Sequence, residues 1–309
     1  MATITEPTLQ SGDLRLAAVL SQEIALLLAD RTSMRNTGAI VNHGLINGQG
    51  SDTVKIRKAG LDGYDKFATA GADGSDVGTP EDLTSSATSL TVARYALRRD
   101  LTDLGELSGM GGADITPQRL ALSMVGEAEK CFMSLVATAI ASFGATDAGS
   151  TGVDLSVDDW FDAIRTLQVA GNSGPTFALL HPTQLSDLQN SIRAEAGSIQ
   201  WVQATQDMLS VKPAGYAGMF AGVEIYTNTE VTATGTTDYN GGMWNAGAIG
   251  YVEAAPVGAF GDIVRPGASP LQVEFERDAS AGLTSIVGSY YVGVGIVQDG
   301  MGVGIVTDY

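Results

Sequence analysis

The chain has 309 residues, enough for one large domain or two ordinary ones, and 44% of them are hydrophobic, so a substantial core is available. Seventeen Lys and Arg stand against 35 Asp and Glu, a net charge of −18, which argues against nucleic-acid binding through a general basic surface. A single cysteine, Cys131, excludes an intrachain disulfide framework and a cysteine zinc cluster, and the 39 glycines point to many turns and strand kinks.

No basic leader opens the chain, and Glu6, Asp13 and Glu23 lie within or beside the first apolar stretch. Neither a secretory signal nor a membrane span is expected. Residues 1–12 are polar and read as an extended arm. Asp13 to Asp30 reads as an amphipathic helix with Leu16, Val19 or Leu20, Ile24, Leu27 and Leu28 on one face. That face packs either on its own domain or on a neighbouring copy.

Thr53 to Lys58 alternates apolar and basic residues, as a strand with one wet face does, and Leu90 to Leu97 reads as its return strand. Between them, Ala59 to Ala87 is rich in Gly, Asp, Ser and Thr, with Tyr64 and Phe67 as isolated aromatics. A connection of this length is either a functional protrusion or a plain surface loop. An isolated two-stranded hairpin is marginal in water, so an ordered one needs support, for which a neighbouring subunit is the obvious candidate.

Pro117 to Phe143 reads as one helix roughly 40 Å long. Thr116 is placed to cap it, Pro117 suits the first helical position, and Gly144 sits where a left-handed residue often ends a helix. Leu122, Val125, Phe132, Val136, Ile140 and Phe143 form one apolar stripe; Leu120, Met124, Ala128 and Leu135 form another on nearly the opposite side. A helix apolar on several sides is a spine with other elements on both flanks.

Ala145 to Gly152 reads as a linker, and Val157 to Ala170 as a helix carrying Trp160, Phe161, Ile164 and Leu167. Thr176 to Leu180 is a buried strand, and Pro182 opens a helix through Leu185, Leu188 and Ile192, which makes an α/β block. From Tyr216 the chain turns mostly β, with strands at Val223–Tyr226, Gly247–Val252 and Leu271–Glu276. Tyr291–Val297 and Met301–Val306 nearly repeat each other across Gln298-Asp299-Gly300, which reads as a closing hairpin.

Reactive chemistry is sparse. His43 and His181 have no second His or Cys at metal spacing, and Cys131 sits mid-helix among apolar residues as a structural thiol. The glycine runs at Gly109–Gly112 and Gly300–Gly304 lack the features of a phosphate loop, and Ser173 does not match a nucleophile elbow. Asp62, Asp65, Asp73, Asp76, Glu81 and Asp82 crowd the long loop without the spacing of a calcium loop. Arg94, Arg98 and Arg99 form a basic cluster, either a solvated face or a match for a neighbour's carboxylates. No catalytic, cofactor-binding or metal-ligating residue is assigned, no cofactor is expected, and the chain is not read as an enzyme.

The order of parts resembles the major capsid proteins of tailed bacteriophages, the Hong Kong 97-like fold of the α+β class. The resemblance is carried by Thr88–Tyr95 followed by Asp100–Asp103, by Phe177–Leu185, by Gly218–Tyr226, and by Phe275–Asp278 with the final hairpin, and it covers most of the chain after about residue 36. It implies an N-terminal arm at 1–36, an extended hairpin loop region at 37–101 and a spine helix at 102–151 as the first part of a peripheral domain. An axial domain at 152–265 and return strands of the peripheral domain at 266–309 complete the division.

The resemblance also implies a structural protein that assembles with itself, as pentamers and hexamers, into an icosahedral head around packaged double-stranded DNA. Scaffolding, portal and decoration proteins are the further partners of such a shell; no membrane is. Its place is the virion, after assembly in the host cytoplasm. Some relatives join a loop lysine to a neighbour's asparagine; Lys55, Lys58 and Lys66 lie in or beside this loop, and none is marked as reactive. With Met1 at the start, proteolytic removal of a leading scaffold segment is not expected. The rival readings are an encapsulin-like bacterial compartment shell and, from another class, a hydrolase with an acidic site.

Overall fold

A computed structural model describes residues 34–35, 37–46, 51–58, 73, 86–104, 117–145, 147–171, 174–194, 201–203, 212, 215–231, 233–234, 238–255 and 270–308. The expected arm, its helix at Asp13 to Asp30, and most of the long loop lie outside these residues. In chain order the described elements are β1 (Ile40–Ile46), β2 (Thr53–Lys58), β3 (Ser86–Thr91), β4 (Ala93–Thr102), α1 (Pro117–Ile140), α2 (Val157–Val169), β5 (Thr176–Leu180), α3 (Pro182–Ala194), β6 (Trp201–Gln203), β7 (Tyr216–Phe220), β8 (Val223–Thr227), β9 (Ala233–Thr234), β10 (Asp238–Asn245), β11 (Ile249–Ala254), β12 (Leu271–Asp278), β13 (Leu283–Ile296) and β14 (Gly302–Asp308).

These strands form two main sheets and a ribbon. A five-stranded sheet runs β1-β11-β13-β12 with β4 also on β13; a seven-stranded sheet runs β14-β10-β5-β8-β7-β6 with β9 on β10; β2 and β3 pair alone. Helix α1 crosses from one sheet to the other. Along its length Met124, Val125, Ala128, Phe132, Met133, Val136, Ala139 and Ile140 are all buried, while Ser123, Lys130 and Thr138 keep one exposed line. So wide an apolar sector fits a helix covered on more than one side. The sheets make room for it with glycine. A Cβ on Gly288 of β13 would sit 2.5 Å from Met124 Sδ, and Cβ atoms on Gly242 of β10 and Gly302 of β14 would collide with Ile140 and Phe143.

The seven-stranded sheet is filled on both faces because its strands alternate. Phe177 and Leu179 of β5 join the core along α1, while Ala178 and Leu180 join a second core with Trp160, Ala163 and Leu167 of α2 and Leu188 of α3. Ser156 starts α2 with a capping box: its hydroxyl accepts from the Asp159 amide at 3.2 Å and its own amide donates to Asp159 Oδ2 at 3.1 Å. Gly171, at φ +80°, turns the chain out of α2.

Gln184 in α3 is fully buried and ties this block to the C-terminal strand. Its Oε1 accepts the His181 amide at 3.0 Å; its Nε2 donates to Tyr239 O at 3.0 Å, Ile305 O at 3.3 Å and Thr307 Oγ1 at 2.8 Å. Gln184→Leu keeps much of the volume and orphans the amide and carbonyls. It is expected to cost at least about 2 kcal/mol, read as a lower urea midpoint at unchanged slope.

Several sequence expectations are corrected. Tyr291–Val297 and Met301–Val306 are not a hairpin: β13 pairs with β4, β11 and β12, and β14 pairs with β10 in the other sheet. The Asp-Gly step between them is a 3-10 turn, Asp299–Met301. The amides of Val297 and Gln298 both donate to Ala248 O, which holds the end of β13 on β11 and turns the chain away. The expected strand Leu90–Leu97 breaks at Val92, whose amide donates to Asp52 O at 2.9 Å; before it the chain pairs with β2, after it with β13.

Helix α1 ends at Ile140, three residues before Phe143, and Gly144 does not have a positive φ. Gly144 is needed for space instead: its amide donates to Asp299 Oδ1 at 2.8 Å, and a Cβ would lie 2.5 Å from Asp299 Oδ2. The Ala145–Gly152 stretch, read as a linker, is bridged to β14 through Ala148 and Ile305. The strand placed at Gly247–Val252 starts at Ile249, after a turn in which Gly247 has φ +97°. Sheet membership cuts across the sequence blocks: β11, within 152–265, belongs to the five-stranded sheet, and β14, within 266–309, to the seven-stranded one.

Candidate assembly surfaces

Two parts of the described molecule expose strand surface, the β2–β3 ribbon and the three-stranded tongue of β4, β13 and β12. The ribbon pairs Thr53 with Thr91 through Lys58 with Ser86, and the two threonine hydroxyls at its root lie 3.1 Å apart. Alternation gives it one apolar side. Leu90, with Val54 and Ile56 beside it, packs on Ile46, Val252 and Val297, so the root rests on the protein's own five-stranded sheet, where a neighbouring subunit had been the expected support. Lys55 and Ser89 point outward. The described ribbon ends at the Lys58–Ser86 pair.

The tongue has an α1-covered face and an open face. Register and alternation put Arg94, Arg98 and Asp100 of β4, Ser285, Ser289 and Tyr291 of β13, and Glu274, Glu276 and Asp278 of β12 on the open side. It is banded, basic toward β4 and acidic along β12. Arg94 Nε and Nη2 donate to Ser289 Oγ at 3.1 and 2.8 Å. Arg98 Nε donates to Asp100 Oδ1 at 2.7 Å, and the Ser285 hydroxyl donates to the same oxygen at 2.7 Å. The hydrogen bond from Arg98, then that from Ser285, hold the Asp100 carboxyl below the usual range.

Arg99 turns to the other face and reaches Glu127 of α1 at 3.4 Å. All three arginines of the sequence cluster therefore have partners within the chain, and the exposed pairs contribute little to stability on their own. At the end of the tongue Arg277 makes a two-pronged pair with Asp103, at 2.7 and 2.6 Å.

On the opposite block, α2 presents Phe161, 45% exposed, and Val169, 83% exposed, and Val153 just before it is half exposed. The Phe161 ring lies 6.0 Å from Phe220 at the rim of the core, while its neighbour Trp160 is fully buried.

The residues weighed for chemistry are dispersed. His43 lies on β1 and His181 at the end of β5, in different sheets. His181 stacks on Tyr239 at 3.6 Å and bonds Thr183 Oγ1 at 2.8 Å; burial pushes both imidazoles below their ordinary value. Cys131 is half-buried with its thiol pushed up, also by burial. Among the described residues no three His, Cys, Asp or Glu gather as a metal site, and no helix is long and apolar enough to cross a membrane. Of the loop acids only Asp73 is described; Ser173, Lys66 and Gly109–Gly112 lie outside.

What the sequence did not reveal is a box around Arg35. Its guanidinium lies 4.6 Å from the Phe132 ring centre, 5.4 Å from Tyr251 and 5.6 Å from Tyr290, and it pairs with the Glu253 carboxylate. Both charged side chains are about nine-tenths buried. The Tyr290 hydroxyl donates to Glu253 Oε1 at 3.3 Å.

No family model matches the chain, and no curated protein does. Solved structures do. The capsid of the cyanophage P-SCSP1u matches at TM-score 0.59 and 15% identity, over 90% of this chain and 88% of that one. The capsid of Ralstonia phage GP4 matches at 0.57 and 11%, over 91% and 90%. The SrpI encapsulin of Synechococcus elongatus PCC 7942 matches at 0.55 and 12%, over 86% and 84%. What is shared at these identities is the fold.

Proposed function

We propose, from a chain that has the α+β Hong Kong 97-like fold, that this protein is the shell subunit of a tailed-phage head, assembling with itself as pentamers and hexamers around double-stranded DNA. The observation that carries the reading is the extent of the likeness: about nine-tenths of this chain and of the cyanophage and Ralstonia phage capsid chains align. The five-stranded sheet with α1 is the peripheral domain, and the seven-stranded sheet with α2 and α3 the axial one. The protein works as a container and performs no catalysis.

The charge suits that work. A subunit at −18 repels phosphate at short range, so packaged DNA can leave. Closed shells need complementary patches on each copy, which the ribbon, the banded tongue and the α2 rim supply. Its site is the virion, after assembly in the host cytoplasm; scaffolding, portal and decoration proteins are its further partners.

The likeness to the SrpI encapsulin supports a second reading, a bacterial compartment shell. Electron micrographs of purified protein test both: icosahedral particles are expected, with nuclease-protected DNA inside when isolated from infected cells. A monodisperse monomer under all conditions would end the shell reading, and particles holding enzymes instead of DNA would favour the compartment.

A further inference from the structure

The Arg35 box joins parts that are far apart in sequence. Phe132 comes from α1, Tyr251 and Glu253 from β11, and Tyr290 from β13. Phe132 and Tyr251 meet edge to face at 5.4 Å and 87°, so the walls brace each other. A planar, weakly hydrated cation flanked by three rings with a carboxylate at one end is an arrangement that suits a guanidinium better than a compact ammonium. Arg35 Nε has no acceptor among the described residues; the guanidinium is held by the three rings and, at its Nη2 end, by the Glu253 carboxylate.

The box sits where the chain leaves residues 1–33. Next to it the mooring is dense. Met34 is fully buried, the Thr37 hydroxyl donates to Met34 O at 2.9 Å, the Ala39 amide donates to Thr37 Oγ1 at 3.2 Å, and Trp244 Nε1 donates to Ala39 O at 2.8 Å.

We propose that this box is a guanidinium-binding site whose resident ligand is the chain's own Arg35, and that its occupancy latches the N-terminal segment to the body. Because one wall is on the spine helix and the others are on the sheet, the latch holds only while helix and sheet keep their relative position. In the shell reading, on which this role rests, the anchored segment is the arm. The site itself needs no shell.

Hydrogen exchange on the full-length chain before assembly tests it. In Arg35→Ala, exchange in the peptide from Met34 to Ala39 should rise about tenfold or more while β13 and the rest of α1 stay protected. Millimolar ethylguanidinium, the group deleted, should restore protection, and ethylammonium at the same concentration should not. Arg35→Lys, which keeps charge and stem, should open the same peptide to a smaller extent. Equal rescue by ethylammonium, or unchanged local protection in Arg35→Lys, would overturn the proposal, including in the case where Arg35→Ala unfolds. Failure of the protein to form shells would leave these rates as they are and count only against the shell reading.

Discussion

Arg35→Met is expected to destabilise the protein by about 3–5 kcal/mol, the usual cost of leaving a buried charge without its partner, whereas Glu253→Gln should cost clearly less. The asymmetry follows from the carboxyl. Burial raises its pKa, and the attraction and hydrogen bond of Arg35 only partly pull it back, so Glu253 stays above its ordinary value. Gln keeps the shape and an oxygen that can still accept from the Tyr290 hydroxyl and the Arg35 guanidinium, which the three rings go on flanking. Met at 35 fills the space of the stem but loses the ring contacts and abandons the carboxylate.

The pH dependence has a definite sign. A carboxyl with a raised folded pKa contributes stability that is present below its unfolded value and lost as the pH rises through the folded one. Taking Arg35 away removes the influence that lowers Glu253, so this loss at neutral pH grows. The deficit of Arg35→Met relative to the parent should therefore shrink as the pH is lowered from neutral toward 4.5. Urea midpoints of parent and both variants at two pH values decide it. A deficit that widens on acidification, or equal damage from the two substitutions, would mean that the pair acts differently.

How much of this was legible beforehand varies with the range of the interaction. Local signals read well. Pro182 opens α3, the alternation of Thr53–Lys58 gives β2, and the apolar sectors of Pro117–Phe143 give a helix packed on several sides. Partner choice did not read. Tyr291–Val297 and Met301–Val306 are strands on either side of a turn, and nothing in that stretch says that one belongs to β11 and the other to β10. Leu90–Leu97 is β throughout by composition, yet Val92 changes partners in its middle. Gly144 was placed at the right joint for the wrong reason, since the cause is Asp299, 155 residues later.

The Arg35 box was out of reach for the same reason: one cation, three rings and one acid drawn from four segments leave no spacing to recognise. The basic cluster failed differently. Arg94, Arg98 and Arg99 are consecutive enough to look like one patch, but strand alternation sends Arg99 to the α1 side and leaves the other two on the open face.

Gly293→Ala should be the substitution that most damages the ribbon while leaving both sheets folded. Gly293 and Gly295 lie two apart on β13, so a Cβ on either would point the same way, under the ribbon root. At Gly295 it would meet Leu90 Cδ2 at 2.8 Å, the movable end of a side chain. At Gly293 it would collide with Thr91 O, with Thr91 C at 2.8 Å and the Val92 nitrogen at 3.2 Å. Those are backbone atoms at the step where the chain passes from β3 to β4, and Val92 is fixed from the other side by its bond to Asp52 O.

A side chain can rotate away; this step can only lift. The expected cost for Gly293→Ala is at or above the roughly 1–3 kcal/mol of ordinary overpacking, and for Gly295→Ala it is at the low end. The consequence for assembly should be larger than for folding. The root seats both strands of the ribbon, Thr53–Lys58 and Ser86–Thr91, so in the shell reading a tilt there displaces a surface offered to other copies. Gly293→Ala protein should keep its far-ultraviolet dichroism, exchange faster at residues 52–54 and 88–92, and lose most of its particle yield. Gly295→Ala should assemble nearly as the parent does. Equal yields from the two variants would show that the seating of the ribbon root does not govern how copies meet.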